Sequence, residues 1–492
     1  MLPLNLYRAA DVRELDRMAI EDCGLGGALL MSRAGEAAFQ ALRTRWPQAH
    51  RVSVLCGPGN NGGDGLVIAR LARLAGMEVT VYLMREASAF RGEAERALQA
   101  LEPLGVDLPV YAGDALDDAD VVVDALFGTG LARAVEGAMA QAIEAINAAR
   151  GRGAGVLAVD IPSGLAADTG AVLGRAVRAH LTPSFIGLKL GLFTGAGPEY
   201  AGAVVFADLG VPAVIYQHVA PAARCIDDGG HGLGPRPRDA HKRQFGHVLA
   251  VGGDHGTAGA IRMAAEAALR GGAGLVSVAT RADHAPVLVQ ARPEVMASAV
   301  EQPHELDALL GRASVIATGP GLGQGAWGRA LWQRLLAADL PMVVDADALN
   351  LLAADPARRD DWVLTPHPGE AARLLGTSAN EVQRDRPSAV AALSRRYGGT
   401  AVLKGAGTLV VSGDGALSVC RAGNPGMAVG GMGDVLCGFI AALLAQGLEP
   451  GRAACLGVLW HAMSGDRAAC RGGERGLLPS DLLAELRHFV NR

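Results

Sequence analysis

The stretch 423-GNPGMAVGGMGDVLCGFIAALLAQG-447 decides how the second half of the chain is read. Six glycines fall within its first sixteen residues and lead into an apolar run too long for a buried strand, so a flexible turn feeding a buried helix is expected. The first amides of such a helix lack intrahelical acceptors and lie at the positive end of its dipole. Gly431, Met432 and Gly433 would form an anion hole there, with Asp434 in the first turn, placed to deprotonate a hydroxyl that attacks a phosphoryl group. A capping role alone explains an aspartate at this position, but it does not explain the glycines.

Working outward, short apolar runs alternate with helical stretches: 247-HVLAVGG-253, 258-AGAIRMAAEAALRGG-272, 274-GLVSVAT-280, 314-SVIATGPG-321, 341-PMVVDAD-347, 362-WVLTPH-367, 400-TAVLKG-405 and 407-GTLVVSG-413. This is the pattern of a doubly wound α/β sheet. Its strand ends carry polar turns. Lys404, Gly405, Ala406, Gly407 and Thr408 supply an ammonium, a flexible backbone and a hydroxyl suited to nucleotide phosphates and ribose. The turns 319-GPGLG-323 and 365-TPHPGE-370 are two more, the second bringing His367 and Glu370, and 252-GGDHGTAGA-260 leads into a helix where Ala260 allows close approach.

The first half is another α/β series, with no convincing repeat between the two, as in two different domains fused in one chain. Two covering helices are expected in the first 40 residues, followed by the strands 51-RVSVLC-56, 78-EVTVYLM-84, 120-DVVVDAL-126, 155-GVLAVD-160 and 203-AVVFADLG-210. The run 56-CGPGNNGGDG-65 follows a strand and opens a helix, where glycines and free amides suit a phosphate. Two later strand ends, 124-DALFGTGLARA-134 and 160-DIPSGLAADTG-170, place aspartates at the sheet edge where open α/β sheets bind ligands. Asn61, Asp124 and Ser163 would converge as hard oxygen donors for a monovalent cation, with Gly128 to Ala134 as a second anion-cradling turn. Each residue alone could serve as a cap. Between about 212 and 245 the pattern breaks into a segment rich in Gly, Pro, His and Arg, read as a linker.

Composition sets the outer limits. With 492 residues, 50% hydrophobic and 19% charged, the chain is globular, with room for two α/β domains of ordinary size. A net charge of −5 offers no global field for nucleic acid or an anionic membrane. Seven scattered cysteines form no metal or disulfide framework, and neither a signal peptide nor a membrane span is apparent, so a reduced cytoplasmic protein is expected. Only Lys189, Lys242 and Lys404 occur, which leaves 42 of the 45 basic residues as arginine. Lysine should then persist mainly where a compact ammonium cannot be replaced by a planar guanidinium.

Residues 7–215 resemble the NAD(P)H-hydrate epimerase domain through 7-YRAADVRELDRMAI-20, GPGNNGGDG, VDALFGTGL, DIPSGL and 186-IGLKLGLFTGAGPEYAG-202. The resemblance implies that Asn60, Asn61, Gly62, Gly63 and Asp64, the turn Gly128, Thr129, Gly130, Leu131, Ala132, Arg133 and Ala134, and Asp160 hold the hydrated dinucleotide. It also implies potassium on Asn61, Asp124 and Ser163. The C6 hydroxyl of that substrate is a hemiaminal, which inverts by deprotonation, ring opening, rotation and reclosure, so general acid and base groups suffice. Asp160 is expected as the base or its orienting group, and Lys189 as proton donor or electrostatic partner; the plainer alternative for Lys189 is a strand-end ion pair.

Residues from about 225 to 492 resemble the ADP/ATP-dependent NAD(P)H-hydrate dehydratase, a ribokinase-like family, through HKRQFGHVLAVGGD, AALRGGAGLVSVAT, TPHPGE, KGAGT and NPGMAVGGMGDVLCG. By that resemblance Ala260, His367 and Asp434, with Gly321 and Gly323, contact the hydrate, while Lys404 to Thr408 and Gly433 contact the adenine nucleotide. Phosphorylating the C6 hydroxyl turns a poor leaving group into phosphate; ADP would leave as AMP, ATP is a possible alternative, and magnesium would bridge the phosphates. Val429 and Arg243 depart from the threonine and glycine usual in such families.

The expectation is therefore two doubly wound α/β domains, Rossmann-like (1–215) and ribokinase-like (241–492), joined by a linker over 216–240. They would act on NAD(P)H hydrate and ADP as a homo-oligomer without nucleic-acid or membrane partners. A small-molecule kinase of vitamin or sugar type fused to a nucleotide-binding domain is the alternative, and a non-catalytic scaffold is disfavoured by the intact acidic set.

Overall fold

The computed structural model describes residues 2–229 and 232–491, so Gly230 and His231 of the expected linker lie outside the described residues. Contacts divide the chain into two compact units, Met1–Arg224 and Cys225–Arg492.

In the first unit, helices α1 (Ala9–Arg17) and α2 (Gly27–Arg45) precede the sheet. The sheet contains β1 (Arg51–Cys56), β2 (Glu78–Leu83), β3 (Val121–Ala125), β4 (Gly155–Ala158), β5 (Leu181–Phe185) and β6 (Ala203–Ala207). The strands are all parallel in the order β2-β1-β3-β4-β5-β6, and apolar side chains cover both faces. Strand order reverses between β1 and β3, the point where such sheets open a ligand crevice. Helix α3 begins at Asn60 and runs to Leu74, so the asparagine run forms its first turn and not a free loop. Close approach explains the glycines there: a Cβ on Gly62 would fall 1.8 Å from the carbonyl oxygen of Gly57. Strand β5 is an interior strand that the hydrophobic pattern misses, because LTPSF is short, carries Pro183 and alternates with the hydroxyls Thr182 and Ser184.

The second unit contains β7 (His247–Val251), α4 (Ala258–Arg270), β8 (Leu275–Thr280), β9 (Met296–Ala299), β10 (Val315–Thr318), β11 (Met342–Val344), β12 (Trp362–Leu364), α5 (Pro368–Leu375), β13 (Thr400–Leu403), β14 (Leu409–Val411) and β15 (Leu417–Val419). Helices α6 (Met432–Ala445), α7 (Pro450–Gly472) and α8 (Pro479–Phe489) complete it. Its strands lie in the order β9-β8-β7-β10-β11-β12-β13-β14-β15, parallel as far as β13 and antiparallel over the last two pairings. The reversal falls between β7 and β10. Helix α6 is buried along most of its length, which is why its sequence shows no polar face. A Cβ on Gly438 would stand 1.8 Å from the Ala264 carbonyl oxygen, so glycine sets how closely α6 packs on α4.

Candidate functional site

In the first unit the expected residues gather at the carboxyl ends of β1, β3 and β4. Asp124 is fully buried; its carboxylate accepts from the Ser163 hydroxyl at 2.6 Å, the Ser163 amide at 2.8 Å and the Leu126 amide at 3.2 Å. Ser163 Oγ accepts from the Phe127 amide at 2.9 Å, and Asn61 Nδ2 donates to the Phe127 carbonyl at 3.0 Å, which leaves Asn61 Oδ1 as an acceptor. Burial pushes the Asp124 carboxyl up to about 6 against these hydrogen bonds. Asn61 and Ser163 thus meet at one backbone position, Phe127, and Ser163 ties Asp124 to it, although the three lie far apart in sequence. The stretch from Gly128 to Ala134 follows as a largely exposed loop, with Gly128 against Asn61.

The second group in this unit centres on Lys189. Its side chain has no solvent exposure, and its ammonium is ion-paired with Asp160, donating also to the Phe185 carbonyl at 3.0 Å and to Ser184 Oγ at 3.2 Å. Asp160 adopts φ 68°, in the left-handed region that a non-glycine residue enters only under constraint. The constraint is visible: its amide donates to the Pro183 carbonyl at 2.8 Å and its Oδ1 accepts from the Phe185 amide at 3.0 Å. Two more carboxyls face this pair. Burial raises Asp64 well above the usual range, with Asp160 and Asp16 adding repulsion; burial likewise raises half-buried Asp16 to about 6, Lys189 acting against it. Asp16 escapes the sequence reading: α1 looks like a covering helix, and its second-to-last residue carries no motif of its own. The only signal was its place within YRAADVRELDRMAI.

The second unit assembles a comparable cluster. Gly431 is the N-cap of α6 with φ 95°, a left-handed conformation glycine adopts without strain, and no side chain caps the first amides of the helix. Asp434 stands half-buried in that first turn, and burial, with Asp345 and Asp347 adding repulsion against the pull of Lys404, brings its carboxyl up to about 6. Lys404, at the end of β13, holds Asp345 at 2.6 Å and Glu370 at 3.8 Å. Burial alone would lower the ammonium, but those two carboxylates more than offset it, so Lys404 stays charged. A Cβ on Gly433 would come within 3.1 Å of Lys404 Nζ and 3.2 Å of Asp345 Oδ2, so the helix start and this ion pair are immediate neighbours. Buried Arg386 donates to the carbonyls of Leu403 and Lys404 and fixes the turn that continues through Gly405 to Thr408.

His367 caps α5: its Nδ1 accepts from the Gly369 amide at 3.0 Å, while its own amide donates to Glu370 Oε2 at 2.8 Å. Burial, Lys404 and Arg373 hold the ring neutral, and burial raises Glu370 to about 7 despite Lys404. On the other side of the strand reversal, the Gly253 amide donates to the Pro320 carbonyl and Asp254 to that of Gly321, joining the turn before Ala260 to the turn holding Gly321 and Gly323. Asp347 braces this second turn through the Gly323 amide at 2.9 Å. Asp345, 1% exposed, is the residue the sequence reading missed; VVDAD stood out only as another strand end, and its partner lies 59 residues away. Val429 is 38% exposed beside the anion hole, and Arg243 lies exposed in the short helix Lys242–Phe245.

Two family models match the chain: one described as YjeF-related protein N-terminus over residues 27–191, the other as NAD(P)H-hydrate dehydratase over 248–488. The chain is 50% identical over 488 residues to a bifunctional NAD(P)H-hydrate repair enzyme of Coxiella burnetii, covering 99% of both chains. It is 46% identical to the Escherichia coli protein of that name, across 100% of this chain and 95% of the other. Among solved structures, an ADP/ATP-dependent NAD(P)H-hydrate dehydratase from Bacillus subtilis, co-crystallised with ATP and Mg2+, aligns with a TM-score of 0.49 and 29% identity. That alignment covers 53% of this chain and 94% of the other. With near-complete coverage at such identity and both halves matched, the chain belongs to the bifunctional NAD(P)H-hydrate repair enzymes, which combine an epimerase with a dehydratase.

Proposed function

We propose that residues 1–215 carry the epimerase and residues 241–492 an ADP-dependent dehydratase, with 216–240 as linker, in a cytoplasmic homo-oligomer. No described helix is long and apolar enough to cross a membrane. The observation that supports the dehydratase assignment most directly is a carboxylate, Asp434, in the first turn of a helix whose free amides adjoin the Lys404–Asp345 pair.

Gly431, Met432 and Gly433 stabilise the transferring phosphoryl group, and Asp434 takes the proton of the C6 hydroxyl as its oxygen attacks phosphorus. The nucleotide's phosphates and ribose lie against Lys404 to Thr408. Nitrogen's lone pair then breaks the C6–O bond, phosphate leaves, and loss of a proton from C5 completes the ring double bond of NAD(P)H. Neutral His367, with Ala260, Gly321 and Gly323, frames the ring end of the substrate. Magnesium, bound with the nucleotide, would neutralise phosphate charge, and Asp434 and Asp345 are the carboxylates that would hold it.

In the epimerase, Asn60 to Asp64, Gly128 to Ala134 and Asp160 hold the hydrate. Asp160 exchanges the hydroxyl proton, and Lys189 is its ion-pair partner. Among the described residues, buried Asp124 has hydrogen-bond donors but no cationic side chain as a partner, and Asn61 Oδ1 is left over; this donor set fits potassium on Asn61, Asp124 and Ser163. Replacing K+ by Na+ is expected to slow epimerisation, and Asp124→Ala to abolish the difference between the two ions. Equal rates in both salts for the unaltered protein would remove potassium from the reading.

The overall assignment is tested by supplying mixed R and S hydrates with ADP and following NAD(P)H absorbance. The unaltered chain restores both forms. Asp160→Asn restores the S form at the normal rate, then stalls at the pace of spontaneous epimerisation; consumption of both forms at equal rates by this variant would be fatal to the division of labour.

A further inference from the structure

Away from the strand ends, the second unit contains a cavity of about 470 Å³ between α4, the start of α8 and the end of the helix Ala285–Ala291, a size typical of ligand pockets. Arg262, Arg270 and Arg292 line it against a single carboxylate, Glu266. Glu266 is already ion-paired with Arg292, whose Nε is buried without a hydrogen-bond partner. Arg262 and Arg270 are each half-buried, and neither has an ion pair among the described residues. Two guanidinium groups thus border the cavity without a carboxylate of their own, so the wall is chemically incomplete toward a negatively charged ligand. Ser480 adds a hydroxyl on the opposite side.

The cavity adjoins the dehydratase cluster. Met263 and Pro479 line it, and the same two side chains flank the first residue of the anion hole: a Cβ on Gly431 would lie 2.7 Å from Met263 Cε and 3.0 Å from Pro479 Cγ. Helix α4 carries Ala260 in its first turn and Arg270 at its end. Ten residues at about 1.5 Å each separate these by about 15 Å, the scale on which an extended dinucleotide separates its reacting ring from its far ribose.

We propose that this cavity receives the adenosine end of the hydrated dinucleotide and that Arg262 and Arg270 bind a 2′-phosphate there, so that the dehydratase favours NADPH hydrate over NADH hydrate. The proposal rests on the reading that Ala260 and Asp434 face the hydrate. The 2′-phosphate is the one group that distinguishes the two dinucleotides, and arginine's forked donors suit it.

Steady-state dehydration of purified S-NADPH hydrate and S-NADH hydrate, on the full chain and on Arg262→Ala/Arg270→Ala, tests it. The unaltered protein is expected to show a kcat/KM roughly ten- to a hundredfold higher for NADPH hydrate. The double variant raises KM for NADPH hydrate by that factor at constant kcat, and moves the KM values for NADH hydrate and ADP by less than about threefold. Arg262→Gln/Arg270→Gln, which keeps the side-chain bulk, behaves the same way. Adenosine 2′-monophosphate competes with the hydrate and not with ADP. Equal kcat/KM for both hydrates, an equal KM rise for both in the variants, or inhibition by adenosine 2′-monophosphate that is not competitive with hydrate would each overturn the proposal. If the unaltered protein dehydrates neither hydrate, it is the functional reading beneath it that fails.

Discussion

Asp434→Asn is expected to lower turnover of S-hydrate by about 10²- to 10⁴-fold while ADP affinity and epimerisation stay close to normal. The substitution keeps the helix, its free amides and a side chain able to accept a hydrogen bond; only the proton acceptor is lost. Because burial and the Asp345 and Asp347 charges bring the Asp434 carboxyl up to about 6, the unaltered enzyme carries a pH signature of the same group. As pH falls through that value the carboxylate is protonated and kcat/KM for dehydration declines; above it the base is ionised and the rate levels off. The asparagine variant should lose this limb. NAD(P)H recovery across pH, beside an ADP titration, reads both effects. Near-normal turnover in the variant would refute Asp434 as base, and loss of ADP binding would make it a ligand-positioning residue instead.

Lys189→Met carries the largest expected change in the first unit. The methionine fits a site with no solvent exposure but leaves Asp160, Asp64 and Asp16 without their cation. Breaking a buried pair from one side typically costs about 3–5 kcal/mol, on the order of 10 °C in the melting of a domain of this size. Epimerisation should fall at least ~10²-fold, with dehydration of S-hydrate preserved. The stability deficit should shrink as pH is lowered, since protonating the carboxyls removes the uncompensated charge. Adding Asp160→Asn should restore much of the stability and none of the activity. Thermal melts and epimer exchange on the single and double variants provide the check; an undiminished exchange rate in Lys189→Met would reduce the lysine to a structural ion pair.

What the sequence made legible was local. Glycines crowding the ends of apolar runs marked the turns, and the long apolar stretch after Asp434 marked a buried helix, as found for Met432–Ala445. What stayed hidden was assembled by topology. Lys404 meets Asp345 across two strands and 59 residues, and Asp16 reaches Lys189 from a helix ahead of the whole sheet. No spacing rule connects such pairs; only the strand order does. Strands with weak apolar character escaped too: Leu181–Phe185 through its proline and hydroxyls, Met296–Ala299 because an edge strand needs no continuous apolar face. That the helix starts at Asn60, within the glycines, follows from packing, since glycine's poor helix propensity is overridden where only glycine permits the close approach.

The near-absence of lysine has a further consequence for how the protein meets chemistry from outside. Of its three ε-amines, Lys189 is sealed from solvent, Lys404 is clamped between carboxylates, and Lys242 alone is exposed in a turn. An acylating reagent encountering the native surface therefore finds one fully open amine, Lys242, and one partly open amine held by carboxylates, Lys404. Lys404 keeps 19% of its side chain exposed and is reachable in the folded unit, whereas Lys189 becomes reachable only when its own unit opens. Lys189 is thus a built-in tag for the opening of the first unit, and Lys404 a tag for what covers its cluster in the second, with Lys242 as the constant against which both are counted.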